Sequence, residues 1–296
     1  APAAGPRVLV WPSYWYPDRN VPRSGLFSRR LAAAIAAFCP TAGLFVAPDP
    51  GLPVRRQVES SREEGVTTVR AYFRPAAPSP WQLFLNTLRF MAAAAAGRRA
   101  LPPSFRKPDL INVQVTPPAG LILFLRFFWR RRPVIFSEHW SRYLLPRGRE
   151  NLLQKWLIGR FMAHCAAMTA VSEVLARGMR AHGLRAPIWR IIGNPVAPDV
   201  FYPRSAKKSD RAATILHISF QTENKNVAGI VRAMAALTRR RPAVRLLVIG
   251  NGPVRPGSEE LARDLGLLDQ VVFFRDPLRE EEVAATMRQA DILVLF

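Results

Sequence analysis

The sequence predicts an α/β protein of two doubly wound parallel-sheet domains, the second of them incomplete. Short β-rich runs alternate with helical patterns over residues 8–192, which is typical of a parallel sheet with crossover helices. The alternation stops at 194–210, a segment with three prolines and no periodicity, and it restarts near Ala213. The predicted organisation is a first domain at 1–195, a linker at 196–212 and a partial second domain at 213–296.

The elements of the first domain follow from hydrophobic spacing and turn residues. The predicted strands are Val8–Trp11, Gly43–Val46, Thr67–Phe73, Leu110–Val115, Val134–Ser137, Ala167–Val171 and Ile188–Ile192. The predicted helices are Leu26–Phe38, Trp81–Ala96, Asn151–His164 and Glu173–His182, the last with Ser172 as its N-cap. The second helix carries apolar residues along one side, namely Trp81, Phe84, Leu85, Leu88 and Met91.

The second domain begins with a predicted strand at Ala213–Phe220 and a polar loop at Gln221–Asn226. A helix follows, with Asn226 in its first turn as a favourable N-cap residue. A second strand ends in the turn Ile249–Pro253, and the chain ends on a strand at Ala290–Phe296.

Composition describes a globular and strongly basic chain. Hydrophobic residues make up 49% of the 296 residues, which is ample for buried cores, and the net charge is +22. No apolar run approaches the roughly 20 residues of a membrane span, and the N-terminus lacks the pattern of a signal peptide. Two isolated cysteines, Cys39 and Cys165, are interpreted as free thiols of a cytoplasmic protein. The positive charge attracts phosphates, nucleic acid or an anionic membrane leaflet, unless it reflects only an arginine-rich genome.

Several function classes are disfavoured by missing motifs. No Gly-x-Gly-x-x-Gly follows the first strand, which argues against a dinucleotide dehydrogenase. No cluster has metal-ligand spacing and no nucleophile elbow is present, so no metal site is predicted. No recognised nucleic-acid motif organises the charge, and nucleic acid is therefore not a predicted partner.

Lys225 is the strongest candidate for ligand binding. It directly precedes the predicted helix at Asn226, where free backbone N–H groups and the helix dipole favour an anion such as a diphosphate. The alternative is a solvated lysine at an ordinary helix start.

His139 is the second candidate, because it directly follows a predicted strand. Ligands bind beyond the carboxyl ends of strands in open α/β sheets, and a histidine there can bond a sugar hydroxyl or take a proton. The alternative is a histidine that caps the following segment. Gly25 is a weaker candidate, in the loop after the first strand, where glycine lets backbone approach a ligand.

Two apolar and basic stretches suit a membrane interface. One is Trp81–Arg99, and the other is Gly120–Arg132, which places Phe127 and Phe128 among arginines. The alternative is a pair of core-facing helices with solvated arginine ends.

In their order along the chain, these motifs resemble family 4 retaining glycosyltransferases, which have the GT-B fold of two Rossmann-like domains. The resemblance covers nearly the whole chain and rests on seven segments, namely SGLFSRRLAAAIAA, SEHWSRY, AVSEVLARGMRAHGL, IIGNPVAPDVFYP, ILHISFQTENKN, VIGNGP and ADILVLF.

The resemblance implies metal-independent transfer of a sugar from a nucleotide diphosphate sugar, UDP- or GDP-linked, with no cofactor. It implies that Lys225 holds the donor diphosphate, that His139 lies by the sugar, and that Gly25 lies on the phosphate side of the cleft. It also implies that Asn194 stands at the crossing between domains. Gly250 and Gly252 would let the backbone pass close to the nucleotide.

Three features depart from the family pattern. Phe220 stands in the donor site where an arginine commonly partners the lysine, so donor binding has one cation fewer. Asn112 and Gln114 stand where relatives often carry histidine. The family's paired glutamates follow the strand that corresponds to 290–296, and the sequence stops before them. The resemblance therefore implies a C-terminally truncated chain with little transferase activity.

The leading hypothesis is a hexosyltransferase-type enzyme, peripheral on the cytoplasmic face of a membrane, with a lipid-linked or polysaccharide acceptor. Two alternatives stay open, namely a non-catalytic membrane- or sugar-binding module of the same fold and a sugar-nucleotide epimerase.

Overall fold

The structure, a computed structural model, describes residues 5–144, 152–203 and 212–295 and consists of two compact units. The first unit is Ala1–Pro195 and the second is Val196–Phe296. Residues 204–211 of the predicted linker lie outside the described residues, as do Asn151 and Phe296 at the ends of two predicted elements.

The first unit contains an eight-stranded sheet in the order β3-β4-β2-β1-β5-β6-β7-β8. Its strands are β1 Val8–Pro12, β2 Thr41–Pro48, β3 Arg56–Glu63, β4 Val66–Phe73, β5 Leu110–Gln114, β6 Val134–Glu138, β7 Ala167–Ala170 and β8 Trp189–Ile191. Its helices are α1 Leu26–Ala36, α2 Gln82–Ala100, α3 Ala119–Phe128, α4 Leu152–Ala163 and α5 Glu173–Ala181.

Helices cover both faces of this sheet. In β1, Leu9 and Trp11 belong to the core cluster beneath α2 and α3, whereas Val8 and Val10 pack with Ala32 of α1. This alternation follows from the period of two in a β-strand. The predicted doubly wound α/β fold is confirmed.

The sequence does not predict β3, the one antiparallel strand of this sheet. It pairs with β4 over its whole length at the sheet edge, through a turn in which Glu64 and Gly65 both have positive φ, of 50° and 81°. Four of its eight residues are charged, so no apolar alternation marks it in the sequence. A charged edge strand is a known means of preventing further strand pairing.

The orientation of α2 decides between the two interpretations of its apolar residues. The helix buries Phe90, Ala93, Ala94 and Gly97, and the two alanines and the glycine let it lie close against the sheet. The side chains of the predicted apolar stripe are exposed at Trp81, Phe84, Leu85 and Leu88. The core-facing interpretation is therefore wrong for the first half of α2.

The second unit contains a four-stranded parallel sheet in the order β11-β10-β9-β12. Its strands are β9 Ala213–Ile218, β10 Val244–Ile249, β11 Val272–Arg275 and β12 Ile292–Leu293, and its helices are α6 Val227–Thr238, α7 Arg255–Asp264 and α8 Glu280–Gln289. The predicted strand at 213–220 thus ends two residues early. Across the described residues, every helix is too short or too polar to cross a membrane.

Candidate functional site

A buried polar ladder lies where β5, β6 and β7 approach their carboxyl ends. The Asn112 side-chain amide donates to Ser137 Oγ at 2.8 Å, and Thr169 Oγ1 donates to the same oxygen at 2.9 Å. Gln114 Nε2 donates to Asn112 Oδ1 at 3.1 Å. Asn112 and Gln114, which depart from the family pattern, therefore have structural partners. Asn112 joins β5 to β6 below the site, and Gln114 holds the Asn112 side chain from within β5.

Glu138, the last residue of β6, fixes the backbone of the candidate site. Its side chain is fully buried, and Oε1 accepts hydrogen bonds from the backbone N–H groups of His139 and Trp140, both at 2.9 Å. Oε2 accepts from Thr116 Oγ1 at 2.9 Å, and that hydroxyl in turn bonds Tyr143 Oη at 2.8 Å. Burial raises the pKa of Glu138, and these hydrogen bonds oppose the rise.

His139 is held in one orientation by two contacts. Its Nδ1–H donates to Asn194 Oδ1 at 2.8 Å, and its ring lies against that of Phe27 at a centroid distance of 4.7 Å. Nε2 is shielded from water and has no hydrogen-bond partner among the described residues. With the proton on Nδ1, Nε2 carries a lone pair that can accept a hydrogen bond.

Burial lowers the pKa of His139, and the hydrogen bond to Asn194 opposes part of that shift. The imidazole is therefore neutral at pH 7 and remains neutral below the pH at which a free histidine takes a proton. An unpartnered acceptor on a neutral ring suits a hydroxyl donor from a ligand.

Gly25 precedes α1, the helix whose residue Phe27 contacts His139. It is the N-cap of that helix at φ 67°, and a Cβ at this position would collide with the backbone of Trp15. Two residues later, Phe27 makes the ring contact with His139. The requirement for glycine is thus explained by the close approach of the Trp15 backbone, and the predicted phosphate contact stays a prediction.

The backbone just beyond β5 is strained next to these groups. Val115 has φ 65°, which is unfavourable for a β-branched residue, and it is buried. Its N–H donates to Ser137 O at 2.8 Å and its carbonyl accepts from Ser13 Oγ at 2.8 Å. Strained residues of this kind cluster at functional sites, and this one joins the carboxyl ends of β1, β5 and β6.

In the second unit, Gly250 and Gly252 allow two backbone segments to pass close together. Both have positive φ, of 131° and 148°, and a Cβ on either would collide with the backbone of Ser219 or Gln221. Gln221 is fully buried, and its side chain donates to Gly250 O at 3.0 Å while its N–H donates to Asn251 O at 2.7 Å. The two glycines therefore shape the edge at the ends of β9 and β10, and their approach to a nucleotide stays a prediction.

Lys225 lies one residue before the N-cap of α6. The Asn226 side chain accepts a hydrogen bond from Gly229 N at 3.2 Å, so the predicted cap is confirmed. The Lys225 side chain is half-buried and makes no hydrogen bond or ion pair with any other described residue. Its ammonium group therefore has no partner among the described residues that would compete with an anionic ligand. Phe220, two residues beyond the end of β9, exposes 63% of its surface.

The structure brings three of the seven predicted site residues together in the first unit, namely Gly25, His139 and Asn194. The other four lie at the carboxyl edge of the sheet in the second unit, namely Phe220, Lys225, Gly250 and Gly252. Sequence reasoning missed the side chains that hold these residues in place, Glu138 and Gln221. It also missed His217, which is buried in β9 and bonds Val294 O at 2.9 Å and Ser219 Oγ at 2.7 Å.

Within the described ranges, no group of three or more His, Cys, Asp or Glu side chains is placed to hold a metal ion.

Comparison with known families decides the assignment. The model described as Glycosyltransferase Family 4 matches residues 29–200, which is more than half of the chain. The chain belongs to this glycosyltransferase family. A second model, Glycosyl transferases group 1, matches residues 201–296, so both units of the glycosyltransferase are covered. No curated protein sequence matches the chain.

Solved structures share the fold of this glycosyltransferase. Sucrose-phosphate synthase from Thermosynechococcus elongatus matches 98% of the chain and 75% of its own length, with a TM-score of 0.69 and 16% identity. The catalytic domain of starch synthase IV from Arabidopsis thaliana, bound to ADP and acarbose, has a TM-score of 0.65 and 12% identity over 98% of the chain and 78% of its own. Anabaena HepE in complex with UDP and glucose has a TM-score of 0.62 and 14% identity over 98% and 73%. At these identities, the likeness shows the GT-B fold.

Proposed function

We propose that this glycosyltransferase moves a hexose from a nucleotide diphosphate sugar, UDP- or GDP-linked, to a lipid-linked or polysaccharide acceptor. We propose retention at the anomeric carbon and no requirement for a metal ion, as the family resemblance implies. The observation that carries the proposal is the neutral, oriented His139, whose Nε2 is shielded from water and unpartnered at the carboxyl edge of the first sheet.

His139 positions the sugar in this proposal. A sugar hydroxyl donates a hydrogen bond to Nε2, and the bond from Nδ1 to Asn194 fixes the tautomer that leaves Nε2 as an acceptor. Glu138 holds the backbone of His139, so the ring does not need to be ordered when substrate arrives. Asn194 and Glu138 are thus positioning residues for His139.

Lys225 binds the donor diphosphate in this proposal. Its ammonium group makes no ion pair with another described residue, and Lys225 directly precedes Asn226, the N-cap of α6, where backbone N–H groups also favour negative charge. A cation beside those N–H groups is suited to a diphosphate. Starch synthase IV with ADP and HepE with UDP share this fold with bound nucleotides, which supports a nucleotide donor here.

Donor binding gives the first test. Isothermal titration of UDP, GDP and their hexose conjugates into the chain is expected to give saturable binding for one nucleotide series. A chain that binds neither series would contradict the proposal and favour the non-catalytic module.

Product analysis gives the second test. Incubation with the bound sugar nucleotide and lipid-linked or polysaccharide acceptors, at a protein concentration high enough to detect the low activity that the sequence predicts, should yield a product with the anomeric configuration of the donor, equally with and without EDTA. Inversion, or loss of transfer in EDTA that manganese restores, would refute those parts of the proposal. An epimerised sugar nucleotide formed without acceptor would identify an epimerase.

A lipid-linked acceptor lies in a membrane, so the proposed function includes a location for the protein. We infer that the protein is peripheral on the cytoplasmic face of a membrane, because exposed apolar residues on α2 and α3 lie on helices whose only charged residues are arginines.

A further inference from the structure

A pocket of about 460 Å³ opens between α3, α4 and the start of β6 in the first unit. Its wall is apolar, and the residues that form it include Ile122, Leu125, Trp129, Val134, Leu157 and Phe161. A pocket of this size accommodates part of a lipid chain, and its apolar wall suits one.

Arginines surround the mouth of this pocket. Arg126, Arg130, Arg132 and Arg160 contribute to its lining. None of these four is in an ion pair with another described residue. The neighbouring helices α2, α3 and α4 contain no Asp or Glu, and the single acid between residues 71 and 137 is Asp109, which is paired with Arg7 at 2.7 Å. Among the described residues, Asp109 is therefore the only acid of these segments, and it interacts electrostatically with Arg132 alone of the four arginines.

Exposed aromatic side chains flank the arginines. Phe127 exposes 71% of its surface and Trp156 exposes 58%. The guanidinium of Arg160 lies 5.4 Å from the centre of the Trp156 ring, and that of Arg98 lies 5.7 Å from the centre of the Phe128 ring. Aromatic rings beside arginines are typical of surfaces that insert into the headgroup region of a bilayer.

This pocket is separate from the candidate active site. It lies at the amino end of β6, beside Val134, whereas His139 follows the carboxyl end of the same strand. Five residues of strand separate the two ends by about 16 Å. A phospholipid in the pocket therefore does not occupy the place of the sugar acceptor at His139.

We propose that this pocket and its arginine rim bind an anionic phospholipid and hold the protein on the membrane. The acyl chain occupies the apolar wall, and the phosphate lies against Arg126, Arg130 and Arg160. The proposal rests on the membrane part of the proposed function and names the surface that carries it. The apolar cavity selects lipid over soluble polyanions, which would pair with the arginines and leave the cavity unused.

The test is co-sedimentation of the chain with vesicles of phosphatidylcholine, with and without phosphatidylglycerol. Binding should require phosphatidylglycerol, and the triple variant Arg126→Gln, Arg130→Gln, Arg160→Gln should lose roughly 100-fold in affinity. The matched control removes three arginines from the end of α6, with Arg239→Gln, Arg240→Gln and Arg241→Gln, and should lose much less. If both triple variants lose the same vesicle affinity, net charge alone explains the binding, and the proposal is overturned.

A second arm tests the cavity. Dioctanoylphosphatidylglycerol should displace the chain from vesicles, whereas glycerol 3-phosphate should not, and Leu123→Trp, which fills the pocket from α3, should weaken the displacement. Equal displacement by glycerol 3-phosphate would overturn the cavity's role. A concentration-dependent dimer that the triple variant abolishes would assign the face to a second copy of the chain and would also overturn it.

Nucleotide binding is measured on the same samples. Vesicle binding without UDP or GDP binding would contradict the proposed function alone. Nucleotide binding without vesicle binding would contradict this inference alone.

Discussion

The two units present different chemistry at the carboxyl edges of similar parallel sheets. In the first unit the edge is made of side chains, with His139 oriented by Asn194 and its backbone anchored by buried Glu138. In the second unit the edge is made of backbone, with Gly250 and Gly252 packed against the Ser219–Gln221 segment and Lys225 as the available cation. An oriented side chain suits a reacting sugar, and backbone N–H groups with one cation suit a diphosphate.

The two units also differ in charge. Residues 1–195 carry 28 Lys and Arg against 9 Asp and Glu, whereas residues 196–296 carry 15 against 12. An arginine-rich genome alone would raise the charge of both units to a similar extent. The excess is concentrated in the first unit, and α2, α3 and α4 contain no acid at all. The excess positive charge is therefore concentrated in the first unit and is not explained by the overall composition alone.

Loss of the His139 side chain should have the largest effect, because it removes the oriented group of the first edge. His139→Ala is expected to lower kcat/KM for sugar transfer by about 100-fold, because the sugar loses the acceptor that positions it for reaction. UDP or GDP binding, measured by titration, should change little, since the diphosphate is assigned to the other edge. If His139→Ala lowers nucleotide affinity as much as it lowers kcat/KM, the carboxyl edges of the two sheets do not have separate roles.

A side chain at Gly252 should damage the second edge through the backbone. Gly252→Ala places a Cβ against Gln221 at φ 148°, and it is expected to destabilise the protein by about 2–4 kcal/mol in urea unfolding. Gly257→Ala is the matched control, because its Cβ meets no atom within 4 Å in the first turn of α7, and it should stabilise by about 0.4–1 kcal/mol. Equal costs would show that the close approach at Gln221 is unimportant.

The orientation of α2 shows what hydrophobic periodicity can and cannot predict about a helix. The spacing of Trp81, Phe84 and Leu88 correctly defines one side of a helix, but it does not state which side is buried. The small side chains of Ala93 and Gly97 allow a closer approach to the sheet than the aromatic side would, so the less hydrophobic face is the one that packs. That choice depends on the neighbouring strands and is absent from the local sequence.

The site residues Glu138 and Gln221 could not be predicted from the sequence for the same reason, because their burial depends on distant parts of the chain. The caps at Ser172 and Asn226 are local and were predicted correctly, with both side chains accepting the expected backbone hydrogen bond at 3.2 Å. Glu138 and Gln221 are polar residues in polar segments, and such residues ordinarily face water. Their burial arises from neighbours distant in the chain, such as Thr116 and Gly250, so no local pattern marks them.

Substitution of Lys225 tests whether its charge contributes to nucleotide binding at the carboxyl edge of the second sheet. Lys225→Ala is expected to weaken nucleotide diphosphate binding by roughly 10- to 100-fold, which is the usual range for a lost charge-assisted hydrogen bond. Lys107→Ala, which removes an exposed lysine from the first unit, should leave that affinity unchanged in the same titration. An equal loss from both variants would mean that net charge, rather than the start of α6, attracts the donor.

The pH dependence of stability tests whether buried Glu138 anchors the carboxyl edge of the first sheet. Burial raises its pKa in the folded protein above the unfolded value, so its contribution favours folding below the unfolded pKa and is lost as pH rises through the folded pKa. Glu138→Gln keeps the shape, cannot ionise, and should therefore lose less stability than the unaltered chain when pH rises from about 4 through that range. Glu173→Gln, at an exposed position on α5, is the matched control for removal of a carboxylate from the first unit. Tm measured across this range checks both variants, and parallel curves for Glu138→Gln and the unaltered chain would show that the Glu138 carboxylate is not desolvated beneath His139.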